Sequence, residues 1–196
     1  MIALALIRHG PTEWSEAHRY QGRVDTPLSD AGRAIVSAWR VPEPFRSFDW
    51  FSSPLLRAIQ TARLLTALEP RIEPRLIEMD WGDYQGHTHD ELQARDGAEL
   101  IDNEARGLDF RPPGGESPRD VIERVRPWLA ERRAAERPAV AVVHRGIVRA
   151  VLALATGWTM TGPPPAKLDW SALHLFNLLE TGGLSVDRLN ISLKSG

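Results

Sequence analysis

The sequence contains no cysteine. That excludes disulfides, thiolate nucleophiles and every cysteine-based zinc or iron–sulfur site at once. It is compatible with a reducing compartment. Long apolar runs are missing too. The opening run, Met1 to Ile7, is cut off by Arg8 and His9 and is too short for a signal-peptide core. No stretch approaches the roughly 20 apolar residues of a membrane helix. A basic surplus is also lacking, since the formal net charge is −2, and a nucleic-acid binder normally shows one. Lysine is scarce: Lys167 and Lys194 stand against many arginines. Arginine suits two-pronged grips on phosphate or carboxylate, although GC-rich coding produces the same bias. These absences set the expectation of a cytoplasmic protein with neither a membrane nor a nucleic-acid partner.

The 196 residues fit one α/β domain spanning 1–196. Ile2 to Ile7 reads as a buried, central strand. A polar loop follows to Leu28, and Ser29 caps a helix expected to end near Pro42. Phe48 to Ser52 is a short strand. Ser53-Pro54 predicts a helix start, with serine as the cap and proline at the first helical position. Leu55, Leu56, Ile59, Ala62, Leu65 and Leu68 give that helix an apolar face. From Glu69 to Gly115 the chain is polar and irregular, apart from a capping-box pattern at Thr88–Glu91. Ser117-Pro118 starts another helix, striped by Val121, Ile122, Val125, Trp128 and Leu129, which Pro127 is expected to kink. Ala139 to Val143 is a second buried strand, and Ile147 to Ala155 a helix. Ala172 to Leu179 and Leu184 to Ile191 read as a β-hairpin. Strands alternating with helices predict a three-layer α/β/α fold with a mixed, mainly parallel sheet.

Both central strands end in histidine, at Ile7-Arg8-His9-Gly10 and at Val143-His144-Arg145-Gly146. Ligands bind past the carboxyl ends of strands in open α/β sheets. Arg8 stands beside the first histidine, and Arg57 lies in the first turn of the Ser53-Pro54 helix. Two arginines, two histidines and a helix N-terminus make an anion pocket that phosphate fits best.

The run LIRHGPTEWSEAHRYQGRVDTPLSDAGR resembles the opening of the histidine phosphatase superfamily, also called phosphoglycerate mutase-like. SSPLLRAIQTA, LIEMDWGDYQG, PPGGES and VVHRGIVRAVL follow in the family's order. The resemblance implies a metal-independent phosphatase without cofactor, acting on a small phosphorylated metabolite. It makes His9 the nucleophile that becomes phosphohistidine. It makes Arg8, Arg57 and His144 the groups holding the phosphoryl oxygens, and Glu78 the carboxyl that protonates the leaving oxygen and later activates water. Thr12, Gln21 and Gly22 match the substrate loop. An irregular cap over about 77–117 is expected to choose the substrate.

Three positions depart from the family pattern. Ser15 stands where asparagine is usual, Pro11 replaces an acidic residue, and Arg145 follows the second histidine in place of glycine. Ser15 and Arg145 are therefore expected to touch substrate in their own way. The compact GDYQGHTHDEL segment favours hydrolysis over a phosphoglycerate-type mutase. A non-catalytic phosphate-binding module and a metal-dependent hydrolase are further alternatives. The first needs neither His9 nor Glu78, and chelation tests the second.

Blander roles compete. His9, His144 and Arg57 taken singly are ordinary strand-end and helix-surface residues. Asp80 and Asp83 rival Glu78 as the carboxyl. His87-x-His89 near Asp90 invites a metal site, yet a solvated loop fits better. His18 and Arg19 are equally suited to substrate and surface. Arg119, Arg124, Arg126, Arg132 and Arg133 read as a solvated helix face. Trp14 and Trp81 are expected to wall the pocket, and Trp39, Trp128 and Trp158 to fill the core. Arg106, Arg111 and Arg145 suggest an acidic substrate. The exposed edge of the C-terminal hairpin is a surface on which a homodimer could form.

Overall fold

A computed structural model describes residues 1–194 of the chain. The largely apolar run Ile2–Arg8 (β1) and the valine-rich run Ala139–Val143 (β4) lie side by side in parallel, with Arg8 opposite Val143. Asp49–Ser52 (β2) flanks β4 in parallel, and Arg71–Ile72 (β3) flanks β2. On the other side Ala172–Leu178 (β5) runs antiparallel to β1 and turns into Leu184–Ser192 (β6). The resulting six-stranded order is β3-β2-β4-β1-β5-β6. The sheet is mixed and mainly parallel, as the sequence predicts, and the C-terminal hairpin forms its antiparallel edge.

Period-two alternation sends side chains to two faces. Leu4, Leu6, Ala141 and Val143 enter one core, packed beneath Pro118–Ala134 (α7) and Arg145–Thr156 (α8). Ala5, Ile7, Val140 and Val142 enter a second core, beneath Asp30–Ser37 (α2) and Leu56–Leu65 (α4). Sheet and two helical layers make the expected three-layer sandwich. Its structural purpose for function is simple: β1 and β4 are pinned on both faces, so the residues just past their ends are held rigidly.

Several boundaries differ from the sequence expectation. The first helix is capped by Ser29 through the Gly32 N–H but ends at Ser37 rather than near Pro42. The short helix Glu13–Glu16 (α1) falls where loop was expected, and Glu43–Arg46 (α3) forms between the expected helix and strand. Ser53 does not cap α4, whose N-cap is Leu55 without a side-chain bond. Its hydroxyl is directed to His144 instead. Leu56 and Leu68, expected in the core, are exposed, and the face of α4 is carried by Leu55, Ala58 and Ala62. Helix α7 runs unbroken through Pro127, from a capping box at Ser117 and Asp120. Helix α8 begins two residues early, at Arg145.

The stretch expected to be irregular holds two helices, His89–Asp96 (α5) and Ala98–Glu104 (α6). Thr88 and Glu91 form the capping box read from the sequence. Helix α6 gave no such signal, because Gly97 caps it without a side chain. Among the described residues no helix is long and apolar enough to cross a membrane.

Candidate active site

Past the ends of β1 and β4 opens a cavity of about 710 Å³. Arg8, His9, Arg57 and Glu78 line its inner end, joined by Gln21 and Gly22. His9 leaves β1 with its own N–H bonded to Val143 O at 2.9 Å. Its Nδ1 lies 2.7 Å from the Gly10 carbonyl. A carbonyl only accepts, so Nδ1 carries the proton and Nε2 keeps a free lone pair. Burial holds the His9 pKa well below the usual imidazole range, with Arg8 and Arg57 adding to the effect. Both effects favour the uncharged ring, with the lone pair on Nε2.

His144 does not line the cavity. It is fully buried behind His9, with ring centroids 5.1 Å apart and planes tilted by 55°. Its Nε2 lies 2.6 Å from Ser53 Oγ, which also accepts the Leu55 N–H at 3.3 Å. Burial, followed by Arg57 and His9, lowers the His144 pKa strongly. Its Nδ1 is buried without a partner, as are Nε of Arg8 and Nε of Arg57. Unpaired buried polar atoms are rare and costly, and these three cluster around one site.

Arg57 is completely buried. It donates to Val24 O and Gly22 O, both at 2.8 Å, which locks the substrate loop against α4. Arg8 is half-buried, and desolvation, reinforced by Arg145, brings its pKa down to about 10. It stays charged at neutral pH. Its guanidinium lies 5.5 Å from the centre of the Trp170 ring.

Glu78 is the carboxyl of this site, and Asp80 and Asp83 are not. Asp80 turns to the Gly82 N–H and toward Arg23, and Asp83 is exposed. Glu78 is buried, and its Oε1 accepts the Met79 N–H at 2.8 Å while Oε2 accepts the Gly146 N–H at 3.2 Å. Burial raises its pKa above the usual carboxylate value. The two backbone donors, Arg57 and Arg124 pull the other way without cancelling it. Glu78 reaches the start of α8 only because residue 146 is glycine, since a Cβ there would collide with Oε1.

The loop from Thr12 to Thr26, in which the sequence places substrate contacts, is held by hydroxyls and one amide. Thr12 is buried outside the cavity, where its Oγ1 donates to Gln21 Oε1 at 2.9 Å. Thr26 donates to the same oxygen at 2.8 Å. Gln21 thus keeps its NH₂ group for the cavity. Ser15 lines the cavity, but its hydroxyl donates to Thr12 O at 2.9 Å and accepts the Thr12 N–H at 2.8 Å. The serine found in place of asparagine serves the capping box of α1. Gly22 has φ of +53°, and a Cβ there would run into Gln85.

Other expectations are corrected. Arg124 is not on a solvated face: it donates to Ile77 O at 2.7 Å and Glu78 O at 3.2 Å, and also to Arg75 O. Glu116 joins this network by pairing with Arg124 at 3.2 Å and Arg23 at 2.7 Å and by accepting the Asp80 N–H at 3.1 Å. The glutamate of the PPGGES motif therefore anchors the backbone that carries Glu78. Arg132 lies over the Phe51 ring at 4.7 Å. Arg111 pairs with Asp120 at 2.7 Å, and Arg106 and Arg111 do not line the cavity. Trp81 walls the cavity, stacked on Tyr20 at 4.2 Å, but Trp14 does not. Trp39 and Trp128 are core residues, while Trp158 is half-buried. His89 pairs with Glu104 at 3.2 Å, and among the described residues no three His, Cys, Asp or Glu side chains gather as a metal site. His18 and Arg19 line the cavity, and Arg19 also pairs with Glu91 at 3.0 Å.

Sequence reasoning missed Arg149 and Trp170, both at the outer part of the cavity. The signal for Arg149 is its spacing of four from Arg145 on one helix. Trp170 sits in a loop after three prolines and carries no local signal.

A buried anion pocket with an uncharged imidazole and a carboxyl of raised pKa is the layout of a phosphoryl-transfer site. The chain belongs to the histidine phosphatase superfamily, branch 1, whose family model matches residues 4–192. It is 39% identical over 165 residues to glucosyl-3-phosphoglycerate phosphatase of Mycobacterium tuberculosis, covering 76% of this chain and 73% of that protein. It is 32% identical over 178 residues to a 2,3-bisphosphoglycerate-dependent phosphoglycerate mutase of Methylobacterium radiotolerans, covering 84% of each. A solved structure of the mycobacterial glucosyl-3-phosphoglycerate phosphatase in complex with VO3 superposes with a TM-score of 0.82 at 30% identity, covering 98% of this chain and all of that one.

Proposed function

We propose that the chain hydrolyses a small phosphomonoester in two steps through Nε2 of His9, without a metal ion. In the first step the Nε2 lone pair forms a bond to phosphorus and the ester P–O bond breaks. Glu78, protonated, gives its proton to the departing alkoxide. In the second step Glu78, now a carboxylate, takes a proton from water. The resulting hydroxide attacks phosphorus, the N–P bond breaks, and inorganic phosphate leaves. Each group returns to its starting state.

The observation that carries this proposal is geometric: one cavity holds Arg8, Arg57, the buried Glu78 and a His9 whose Nδ1 is tied to Gly10 O at 2.7 Å, which leaves Nε2 free. Burial lowers the pKa of His9 and raises that of Glu78, in keeping with this arrangement. The two shifts suit the groups to their roles, an uncharged nucleophile and a proton donor. Phosphoryl transfer passes through a loose transition state that needs positioning and charge more than covalent help. Arg8 and Arg57 supply positive charge, that of Arg57 fixed by its bonds to the carbonyls of Gly22 and Val24.

Hydrolysis is favoured over mutase chemistry because the cavity mouth is open, with Arg145 and Glu104 on its rim exposed. Water can reach the phosphoenzyme. A binding module is disfavoured because holding phosphate needs neither a free Nε2 nor a buried acid. We place residues 77–117 as a substrate cap, and residues 1–196 as one catalytic domain. The cavity is much larger than one phosphate needs, and the stacked Tyr20 and Trp81 offer a wall suited to a sugar ring. Glucosyl-3-phosphoglycerate, named for the mycobacterial relatives, joins such a ring to a phosphorylated acid. A charged metabolite of that kind is retained inside a membrane, and we place the enzyme in the cytoplasm; recovery in the membrane fraction after lysis would contradict this.

The test is phosphate release from a panel of phosphomonoesters in EDTA, wild type beside His9→Ala. Turnover that survives EDTA and is lost in the variant supports the proposal. Turnover that EDTA abolishes, or that His9→Ala retains, overturns it.

A further inference from the structure

Two charges of the cavity have no part in the chemistry above. Arg145 and Arg149 lie one turn apart on α8, and both line the outer cavity. Their neighbours are aromatic rather than acidic. The Arg145 guanidinium lies 5.4 Å from the Trp170 ring centre, and that of Arg149 lies 4.8 Å from the Trp158 ring centre. The carboxylates within the cavity are engaged elsewhere. Glu104 pairs with His89 at 3.2 Å, and Glu78 takes the N–H groups of Met79 and Gly146.

The charge balance is therefore lopsided. A phosphate dianion at the inner end matches Arg8 and Arg57. Glu78, in its acid form, contributes no charge. Arg145 remains at the mouth and Arg149 half-buried behind it. Burial, followed by repulsion from Arg145, weakens the hold of both Arg8 and Arg149 on their protons. Trp170 ties the two ends together, because it lies beneath Arg8 at 5.5 Å as well as Arg145. Guanidiniums stacked on indole rings are held in orientation with their N–H edges free, which is how arginine presents a fork to a planar anion.

We propose that Arg145 and Arg149 form a second anion subsite, which holds a carboxylate or second phosphate on the same substrate whose first phosphate sits against His9. This rests on the phosphatase function proposed above. The arginine that replaces the usual glycine after His144 is then a specificity residue, and Arg149 its partner.

The test compares two substrate pairs: 3-phosphoglycerate with glycerol 3-phosphate for a carboxylate, and fructose 1,6-bisphosphate with fructose 6-phosphate for a second phosphate. The wild type should prefer the more acidic member of at least one pair by about tenfold or more in kcat/KM, the size of one charge-assisted hydrogen bond. Arg145→Ala and Arg149→Ala should each shrink that ratio roughly tenfold, mainly through KM, and Arg145→Lys and Arg149→Lys should keep part of it. No preference in either pair overturns the subsite. So does an equal fall for both members of a pair, which would mean that the arginines act on the scissile phosphate or on folding. If the wild type hydrolyses no ester, p-nitrophenyl phosphate included, the phosphatase function fails on its own. Calorimetric binding of the same four compounds then decides the subsite, by the same ratio of Kd values and its loss in Arg149→Ala.

Discussion

The Glu78 carboxyl rests on the first turn of α8, its Oε2 accepting the Gly146 N–H at 3.2 Å, in space that a side chain at 146 would fill. The acid of the proposed mechanism is thus aimed by a glycine in a different motif, 68 residues away. Gly146→Ala should push Glu78 off this seat. Alkyl phosphates need their leaving oxygen protonated, whereas p-nitrophenyl phosphate does not. The variant should lose roughly 10²-fold in kcat/KM on glycerol 3-phosphate, the low end of a general-acid contribution, and much less in kcat/KM on p-nitrophenyl phosphate, because that ratio reports only the steps up to the first phosphoryl transfer. Equal losses on both esters would show that the glycine serves folding alone.

The pH profile should follow from the same two groups. Glu78, raised by burial, must be protonated for an alkyl ester, so rate falls as pH climbs through its elevated pKa. His9, lowered by burial, is already neutral well into the acid range and sets no limit near pH 7. For glycerol 3-phosphate kcat/KM, which reports the first step, should therefore decline on the alkaline side, and this limb should vanish in Glu78→Gln along with most of the rate. An alkaline limb of unchanged position in Glu78→Gln would assign it to another group.

Arg124 is expected to act through Glu78 rather than on substrate. It holds the carbonyls of Ile77 and Glu78 and pairs with Glu116, with its side chain only 19% exposed. Arg124→Met should destabilise the fold by about 2 kcal/mol, since the carbonyls of Ile77 and Glu78 lose a charged donor and Glu116 is left with Arg23 alone as its ionic partner. It should also lower kcat/KM more on glycerol 3-phosphate than on p-nitrophenyl phosphate, as Gly146→Ala does. Urea unfolding and the two substrates check both parts. An unchanged midpoint would return Arg124 to the solvated face expected from sequence.

Buried neutral histidines make the fold acid-sensitive. His174 is fully buried, accepts the Asn190 N–H at 3.3 Å, and burial lowers its pKa to about 4. Its folded value lies below its unfolded value of about 6.5, so the unfolded chain binds the extra proton. The stability it contributes is fully present above pH 6.5 and is lost as pH falls from there toward 4. His9 and His144 shift in the same direction. Stability should therefore decline steeply across that window, and His174→Gln should flatten the slope by up to one proton, about 1.4 kcal/mol per pH unit. An unchanged slope would mean that His174 is protonated in the folded state.

Much of the site is legible in the sequence because apolar runs and abrupt polar ends mark central strands. The runs Ile2 to Ile7 and Ala139 to Val143 are enough to put His9 and His144 past the carboxyl ends of two strands, and those strands pair in parallel. Local rules fail where a side chain has a distant partner. Ser53-Pro54 has the form of a helix cap, yet the Ser53 hydroxyl lies against His144, 91 residues later. Arg124 sits at a polar position of α7 but turns to backbone 46 and 47 residues before it. Arg106 and Arg111 have the look of substrate arginines and lie outside the cavity, where Arg111 pairs with Asp120 and Arg106 approaches Asn103 Oδ1 at 3.5 Å. Trp170 gains its role only through packing against Arg8 and Arg145.

The most direct test of the proposed mechanism is to catch the phosphoryl group on its nucleophile. Wild-type protein mixed with p-nitrophenyl phosphate would be quenched in alkali, which spares phosphohistidine, then digested and weighed by mass spectrometry. The mechanism predicts one phosphoryl group on the peptide that contains His9, attached at Nε2, and none in His9→Ala. Turnover by the wild type with no phosphorylated His9 peptide at any quench time, or with phosphate on another residue, would contradict it.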